Sequence, residues 1–291
     1  MLRGKLIYIF LLFTLLSSNS FGQGKMLLAS IQQASVGGND ADAQDFIDAV
    51  GTLNATEETA INNLVVALKA NGTWTKYKAI YPFIGGTAAE HKWNLKDPRD
   101  LDAAYRITFT GTITHDANGI TADGSTGYGD THLVPASVLT NSSYSMSVYY
   151  RSDISEGSGI GVKDGTGYWT FYPEFGGDFY SYAGSASNSI TVAAIGVSSG
   201  MFTNTQNGGT THKAFRNGSQ IGTTNTGDNT ASFDTLLEPM YVGAVNRDGV
   251  AGEFSSRNIT FFAIADGLSD AEVSDDYTDI QAFQTELSRN L

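Results

Sequence analysis

The chain has 291 residues, with 17 Lys+Arg against 30 Asp+Glu for a net charge of −13, 33 glycines, 5 prolines and no cysteine. That charge works against gripping a nucleic-acid backbone, which takes clustered Lys and Arg, and the missing cysteines remove disulfides, thiolate metal sites and a Cys nucleophile. With 41% hydrophobic residues, 14 Tyr and 16 Phe, the chain can bury a core, and its few charges and many glycines suit an all-β protein outside the cytosol.

Arg3 and Lys5 precede an apolar run from Leu6 to Leu16 broken only by Thr14, and Ser20, Phe21 and Gly22 follow. A basic head, a short apolar core and a small-residue exit form the layout of a secretory signal peptide cut ahead of Gln23. Residues 1–22 are therefore expected to be a signal peptide or an N-terminal anchor, and a start at Met26 is the alternative reading. The run falls short of the ~20 residues of a membrane-spanning helix, and no later stretch is apolar enough, so no span is expected in the mature chain. Residues 23–40 are small and polar and read as a flexible arm.

Residues 41–104 read as a small, partly helical N-terminal unit. Ala41–Val50 places Phe46, Ile47 and Val50 on one face. A second helix is predicted from Glu57 to Ala70, capped by Thr56, with Ala60, Ile61, Leu64, Val65 and Leu68 at buried-face spacing. Asn71-Gly72 stops it. Tyr77–Phe83 reads as a strand, and Pro98 biases Asp97 away from helix, making His91–Arg106 an ordered loop.

From Tyr105 the helical period gives way to short strands and turns at β-sandwich spacing. The predicted strands are Tyr105–Phe109, Tyr144–Tyr150, Gly159–Lys163, Tyr168–Tyr172, Phe179–Tyr182, Ser189–Val197, Met201–Asn204, His212–Arg216, Gln220–Thr224, Met240–Val245 and Asn258–Ile264. Asn217-Gly218 between two of them is a strong hairpin signal. The chain closes on a helix announced by the capping box Ser269-Asp270-Ala271-Glu272. Its stripe Val273, Tyr277, Ile280, Gln284 and Leu287 is expected to pack on a sandwich edge, with Asp270, Glu272, Asp275, Asp276 and Asp279 on a solvated face.

Three segments resemble the laminin-G-like, or concanavalin A-like, jelly-roll family. They are the early strand and turn Asn118–Tyr128, the hairpin His212–Gly222, and Met240–Ala244 followed by Gly252-Glu253-Phe254, Ile259–Ala265 and the helix start Gly267–Val273. The resemblance covers roughly residues 105–290 and implies an antiparallel β-sandwich jelly roll over residues 105–291. The N-terminal unit through Asp97–Ala104 also resembles segments of tailed-phage structural proteins that carry such a domain. Calcium at a loop edge is a further implication of the jelly-roll resemblance. Asp116, Asn118, Asp123, Asp164, Asp228 and Asp248 are the oxygen donors in predicted turns, where Asp and Asn also belong for backbone reasons alone.

Catalysis finds little support. A glycanase needs two carboxylates ~5–5.5 Å apart for retention or ~6.5–9.5 Å for inversion. The nearest pair, Glu174 and Asp178, flanks Phe175-Gly176-Gly177, a turn that leaves both solvated. His91, His115, His132 and His212 lack metal-ligand spacing. His212 is expected on the surface, and His115 and His132 in loops.

The aromatic residues form the more informative pattern. Period-two geometry sends Trp169 and Phe171 to one face and Tyr168, Thr170 and Tyr172 to the other. Asp178, Tyr180 and Tyr182 likewise oppose Phe179. If these strands pair, Tyr168, Tyr172, Asp178, Tyr180 and Tyr182 share the outer or concave face, where tyrosines stack on sugar rings and bond their hydroxyls. The expectation is a non-catalytic extracellular module binding carbohydrate or a cell-surface glycan. A phage-like particle component associating with other particle subunits on a virion surface is the second reading, and a glycoside hydrolase the third.

Overall fold

The computed structural model describes residues 38–227 and 230–291. The expected leader, most of the arm and the Asp228 turn lie outside the described residues. Asn39–Leu291 form one compact unit.

Helix α1 (Ala41–Val50) opens under the Asp40 cap and ends at Gly51 in the left-handed region, burying Phe46, Ile47 and Val50 as the spacing requires. Helix α2 (Ala55–Ala70) starts earlier than expected, because its cap is Asn54 rather than Thr56. Asn54 Oδ1 accepts from the Thr56 and Glu57 amides while the Glu57 carboxylate accepts from the Asn54 amide, so three backbone donors at the helix start are satisfied. Strand β1 (Tyr77–Tyr81) and the short helix α3 (Ala88–His91) follow.

The remaining strands in chain order are β2 (Thr108–Thr110), β3 (Ile113–Asp116), β4 (Gly119–Ala122) and β5 (Tyr128–Asp130), then, after the turn α4 (Pro135–Val138), β6 (Ser143–Tyr150), β7 (Ile160–Asp164), β8 (Gly167–Phe175), β9 (Asp178–Tyr182), β10 (Ser189–Val192), β11 (Gly200–Asn207), β12 (His212–Arg216) and β13 (Ser219–Asn225). The turn α5 (Thr230–Phe233), strands β14 (Tyr241–Val242), β15 (Val245–Arg247), β16 (Val250–Gly252) and β17 (Asn258–Ala265), and helix α6 (Asp270–Glu286) complete the chain. Several are shorter than expected, for backbone reasons. Tyr105 ends a tight turn at φ 62, so β2 begins only at Thr108. Ala194 at φ 52 and Gly196 at φ 71 end the Ser189 strand early, and Gly243 at φ 89 divides the Met240–Val245 strand.

Two sheets result. The first runs β13-β12-β11-β6-β17-β4-β3, with β1 also paired to β17. Residues 41–104 are thereby tied into the sandwich through Tyr77–Tyr81. The second runs β10-β9-β8-β7-β14-β5-β2, with β15 beside β7 and β16 beside β15. Pairing is antiparallel except for β15 on β7. Between the sheets Trp169, Phe171, Phe179, Val148, Tyr150, Phe202 and Phe262 form one buried cluster, and the Trp169 indole donates to Asn204 Oδ1 at 2.8 Å. Burying each such ring contributes about 1.5–3 kcal/mol. The protein is mostly β, an antiparallel sandwich of jelly-roll type with helical ends.

The three longer helices cover the opposite face of the first sheet, where Tyr149, Met201, Phe261 and Ala263 meet Phe46, Leu64, Val65, Ile280 and Phe283. Helix α6 therefore packs across a sheet face, not along an edge. Its capping box forms as read, but its acidic residues are not all solvated. Asp276 is 0% exposed and accepts from the Thr73 and Tyr77 hydroxyls at 2.6 Å each. Burial pushes its carboxyl up to about 6, against the pull of those two hydrogen bonds. With the helices gathered on the first sheet, the outer face of the second stays open across β8 and β9, where Tyr172, Tyr180 and Tyr182 are half-buried.

Candidate binding site

Strands β8 and β9 pair with Thr170 opposite Tyr182, Phe171 opposite Ser181 and Tyr172 opposite Tyr180. Trp169, Phe171 and Phe179 enter the core, so the alternation turns Tyr168, Tyr172, Asp178, Tyr180 and Tyr182 to the outer face. The Tyr168 ring stacks under Tyr182 at 4.8 Å and 29°. Tyr172 stands edge-on to both Tyr180 (6.3 Å) and Tyr182 (6.1 Å). Together with Phe175, Gly157 and Glu253, the tyrosines Tyr172, Tyr180 and Tyr182 line a groove of about 390 Å³, at the small end of the ~300–1,000 Å³ usual for ligand sites.

Strict alternation would send Phe175 inward with Trp169 and Phe171. The β8–β9 register shifts between Tyr172 and Phe175, and the bulge turns the ring outward, 53% exposed and 5.8 Å from Tyr172. Glu253 arrives just after β16, at φ 51. Its Oε2 accepts from the Tyr168 hydroxyl at 3.0 Å and from Tyr172, the two hydroxyls lie 2.5 Å apart, and its Oε1 faces Arg247 at 3.1 Å. Burial first, then the neighbouring hydroxyl and carboxylate, hold the Tyr168 hydroxyl far above the usual phenol range, and burial and Glu253 do the same for Tyr172. Both stay protonated as donors.

Of the residues expected from sequence, Tyr172, Tyr180 and Tyr182 line the groove. Tyr168, 8% exposed, supports it from below. Asp178 sits beside it, accepting from the Ala194 amide at 2.9 Å and, at 3.4 Å, from the Tyr180 hydroxyl. Phe175, Glu253 and Gly157 were missed. The Gly157 wall is fixed by the buried Arg257 guanidinium, which donates to the carbonyls of Gly157, Ile154, Glu156 and Glu174.

The other chemistry-bearing residues serve the fold. Glu174 closes the Gly176-Gly177 turn by accepting from the Gly177 amide at 2.6 Å. His212, expected on the surface, is 0% exposed. It shares the inward parity of Ala214, its Nε2 is 3.0 Å from Ser181 Oγ, and burial lowers its imidazole to about 3. His115 lies on β3 rather than in a loop and meets buried His91 at 3.0 Å between Nδ1 atoms. His132 is in a loop at φ 57.

Asp116, Asp123, Asp164 and Asp248 each accept from a backbone amide, of Asn118, Thr126, Leu237 and Gly165 respectively, and Asn118 turns β3 into β4. Among the described residues no three His, Asp or Glu converge as a metal site, and no helix is long and apolar enough to cross a membrane.

No protein-family model and no curated protein matches this sequence. Solved structures do. A botulinum neurotoxin type C chain, from a toxin whose way into cells depends upon interaction with two ganglioside molecules, superposes with TM-score 0.50 and 9% identity over 73% of this chain and 53% of that one. Domain 4 of AbnA, a GH43 extracellular arabinanase from Geobacillus stearothermophilus in complex with arabinotriose, gives TM-score 0.44 and 18% identity over 69% of this chain and 98% of that domain. The chain thus spans about half of the toxin chain and nearly all of the arabinanase domain. At these identities the toxin chain speaks for the β-sandwich fold alone, and the arabinanase domain adds no argument.

Proposed function

We propose that the protein is an exported, non-catalytic carbohydrate-recognition module that seats sugar rings in the groove formed by Tyr172, Phe175, Tyr180, Tyr182 and Glu253. The observation that carries this reading is an open, aromatic-walled cavity of about 390 Å³ on the uncovered sheet face. Aromatic rings meet the apolar faces of sugars, and tyrosyl oxygens and a carboxylate meet their hydroxyls. Phe175, 53% exposed and 5.8 Å from Tyr172, extends the apolar wall of that groove rather than standing alone on the surface.

The non-catalytic part rests on the carboxylates. Glu253 is the acidic residue lining the groove, whereas glycoside hydrolysis ordinarily takes a pair. Glu174 and Asp178 already accept from backbone amides. Export rests on the basic and apolar N-terminal pattern. Association with particle subunits, also expected from sequence, has no feature favouring it.

A glycan array tests the reading. Wild-type protein is expected to retain a defined subset of glycans, and Tyr180→Ala or Phe175→Ala to lose them at least fivefold. Retention of nothing, or equal retention by both variants, contradicts it. Release of reducing sugar that vanishes in Glu253→Gln would replace it with a hydrolase.

A further inference from the structure

We infer that the groove selects uncharged glycans and rejects those bearing carboxylates or sulfates, an inference that rests on the carbohydrate reading above and narrows its ligand class. The argument is a count of protons. Each tyrosyl hydroxyl has one to donate. That of Tyr172 goes to Glu253 Oε2, and that of Tyr168 to Glu253 Oε2 at 3.0 Å or to the Tyr172 oxygen at 2.5 Å. The Tyr180 hydroxyl turns to Asp178 Oδ2 at 3.4 Å. Arg247 touches this network from outside the groove lining, with one guanidinium nitrogen paired to Glu253 Oε1 at 3.1 Å.

The protons of Tyr168, Tyr172 and Tyr180 are thus turned to the protein's own oxygens, while lone pairs on the tyrosyl oxygens remain to accept. A neutral sugar fits that surface, because each of its hydroxyls can donate. A carboxylate or sulfate brings acceptors only. It would face Glu253 from inside a groove that no cationic residue lines, with Glu174 and Asp178 at the strand ends that flank the adjoining turn. Tyr182 adds one neutral phenol, which does not offset an anion's charge. The net charge of −13 repels acidic polymers before contact.

The test uses matched pairs that differ at one carbon: β-1,4-mannohexaose against its β-1,4-mannuronate counterpart, and cello-oligosaccharides against their C6-oxidised forms, titrated calorimetrically with the full protein. For any pair whose neutral member binds, the acidic member is expected to bind at least tenfold more weakly. That ratio should shrink as salt rises from 0.02 to 0.5 M, since part of it is screened repulsion. In Glu253→Gln, which removes a charge and adds an amide donor, it should fall at least threefold. Equal or tighter binding of the acidic member overturns the selectivity and leaves carbohydrate binding standing. Failure of every neutral and acidic member to bind, alongside a negative glycan array, overturns both.

Discussion

His212 offers a test of the packing with a magnitude attached. It is buried at the start of β12, with Nε2 3.0 Å from Ser181 Oγ and Nδ1 3.3 Å from Asn188 Oδ1, and burial lowers it from 6.5 to about 3. Because the folded value is the lower one, the unfolded chain takes up a proton below pH 6.5 that the folded chain refuses until about pH 3. The stability held above pH 6.5 is therefore lost as pH falls through this window, at about 1.4 kcal/mol per pH unit. At pH 4.5 the loss amounts to about 2.7 kcal/mol.

His212→Asn removes the titrating ring at a fixed cost of about 1–3 kcal/mol for lost packing and hydrogen bonding. Urea unfolding of both proteins at pH 7.5 and 4.5 gives a double difference in which shifts common to both, including that of buried His91, cancel. The gap between wild type and variant should close by about 2.7 kcal/mol on acidification, enough for the variant to match or exceed the wild type at pH 4.5. An unchanged gap at the two pH values would refute the burial argument.

Three further outcomes follow from the same geometry. Asp276→Ala strands the buried Thr73 and Tyr77 hydroxyls and should cost about 2–4 kcal/mol at pH 7 in urea unfolding. Gly119→Ala should destabilise by more than about 2 kcal/mol, read as a lowered Tm, because Gly119 sits at φ 101 and a Cβ there would come within 2.2 Å of the Ile259 carbonyl oxygen. Phe175→Ala, at an exposed position, should leave stability within about 0.5 kcal/mol while weakening glycan binding at least fivefold, which separates the groove's role from the core's.

Much of this architecture is legible from local pattern. Alternation in Tyr168–Tyr172 and Asp178–Tyr182 assigns the core and outer faces, and Ser269–Glu272 and Asn217-Gly218 mark a helix start and a hairpin, because each signal is complete within a few residues. What escaped depends on tertiary partners. Phe175 follows inward parity until the bulge reverses it. Glu253 meets Tyr172 across 81 residues of chain, a distance no spacing rule spans. His212 stands next to surface-facing Lys213, and only its pairing with Gln206 of β11, on the same inward row as Ala214 opposite Asn204, makes it buried. Asp276 looks like one more charge on an acidic helix until β1 delivers Tyr77 to it. The Asn54 cap is the local exception: Asn and Thr both cap well, and the Asn54 amide donating to the Glu57 carboxylate three residues on decides between them.

The central claim is that sugar rings lie in the groove between Tyr172, Phe175, Tyr180 and Tyr182. A crystal structure of the full protein with the tightest-binding neutral oligosaccharide from the array tests it most directly. The account predicts a sugar ring in van der Waals contact, about 4 Å, with Phe175 or Tyr180, and sugar hydroxyls donating to the Tyr172 oxygen or to Glu253. A ligand bound elsewhere on the molecule, with this groove filled only by water, would contradict it.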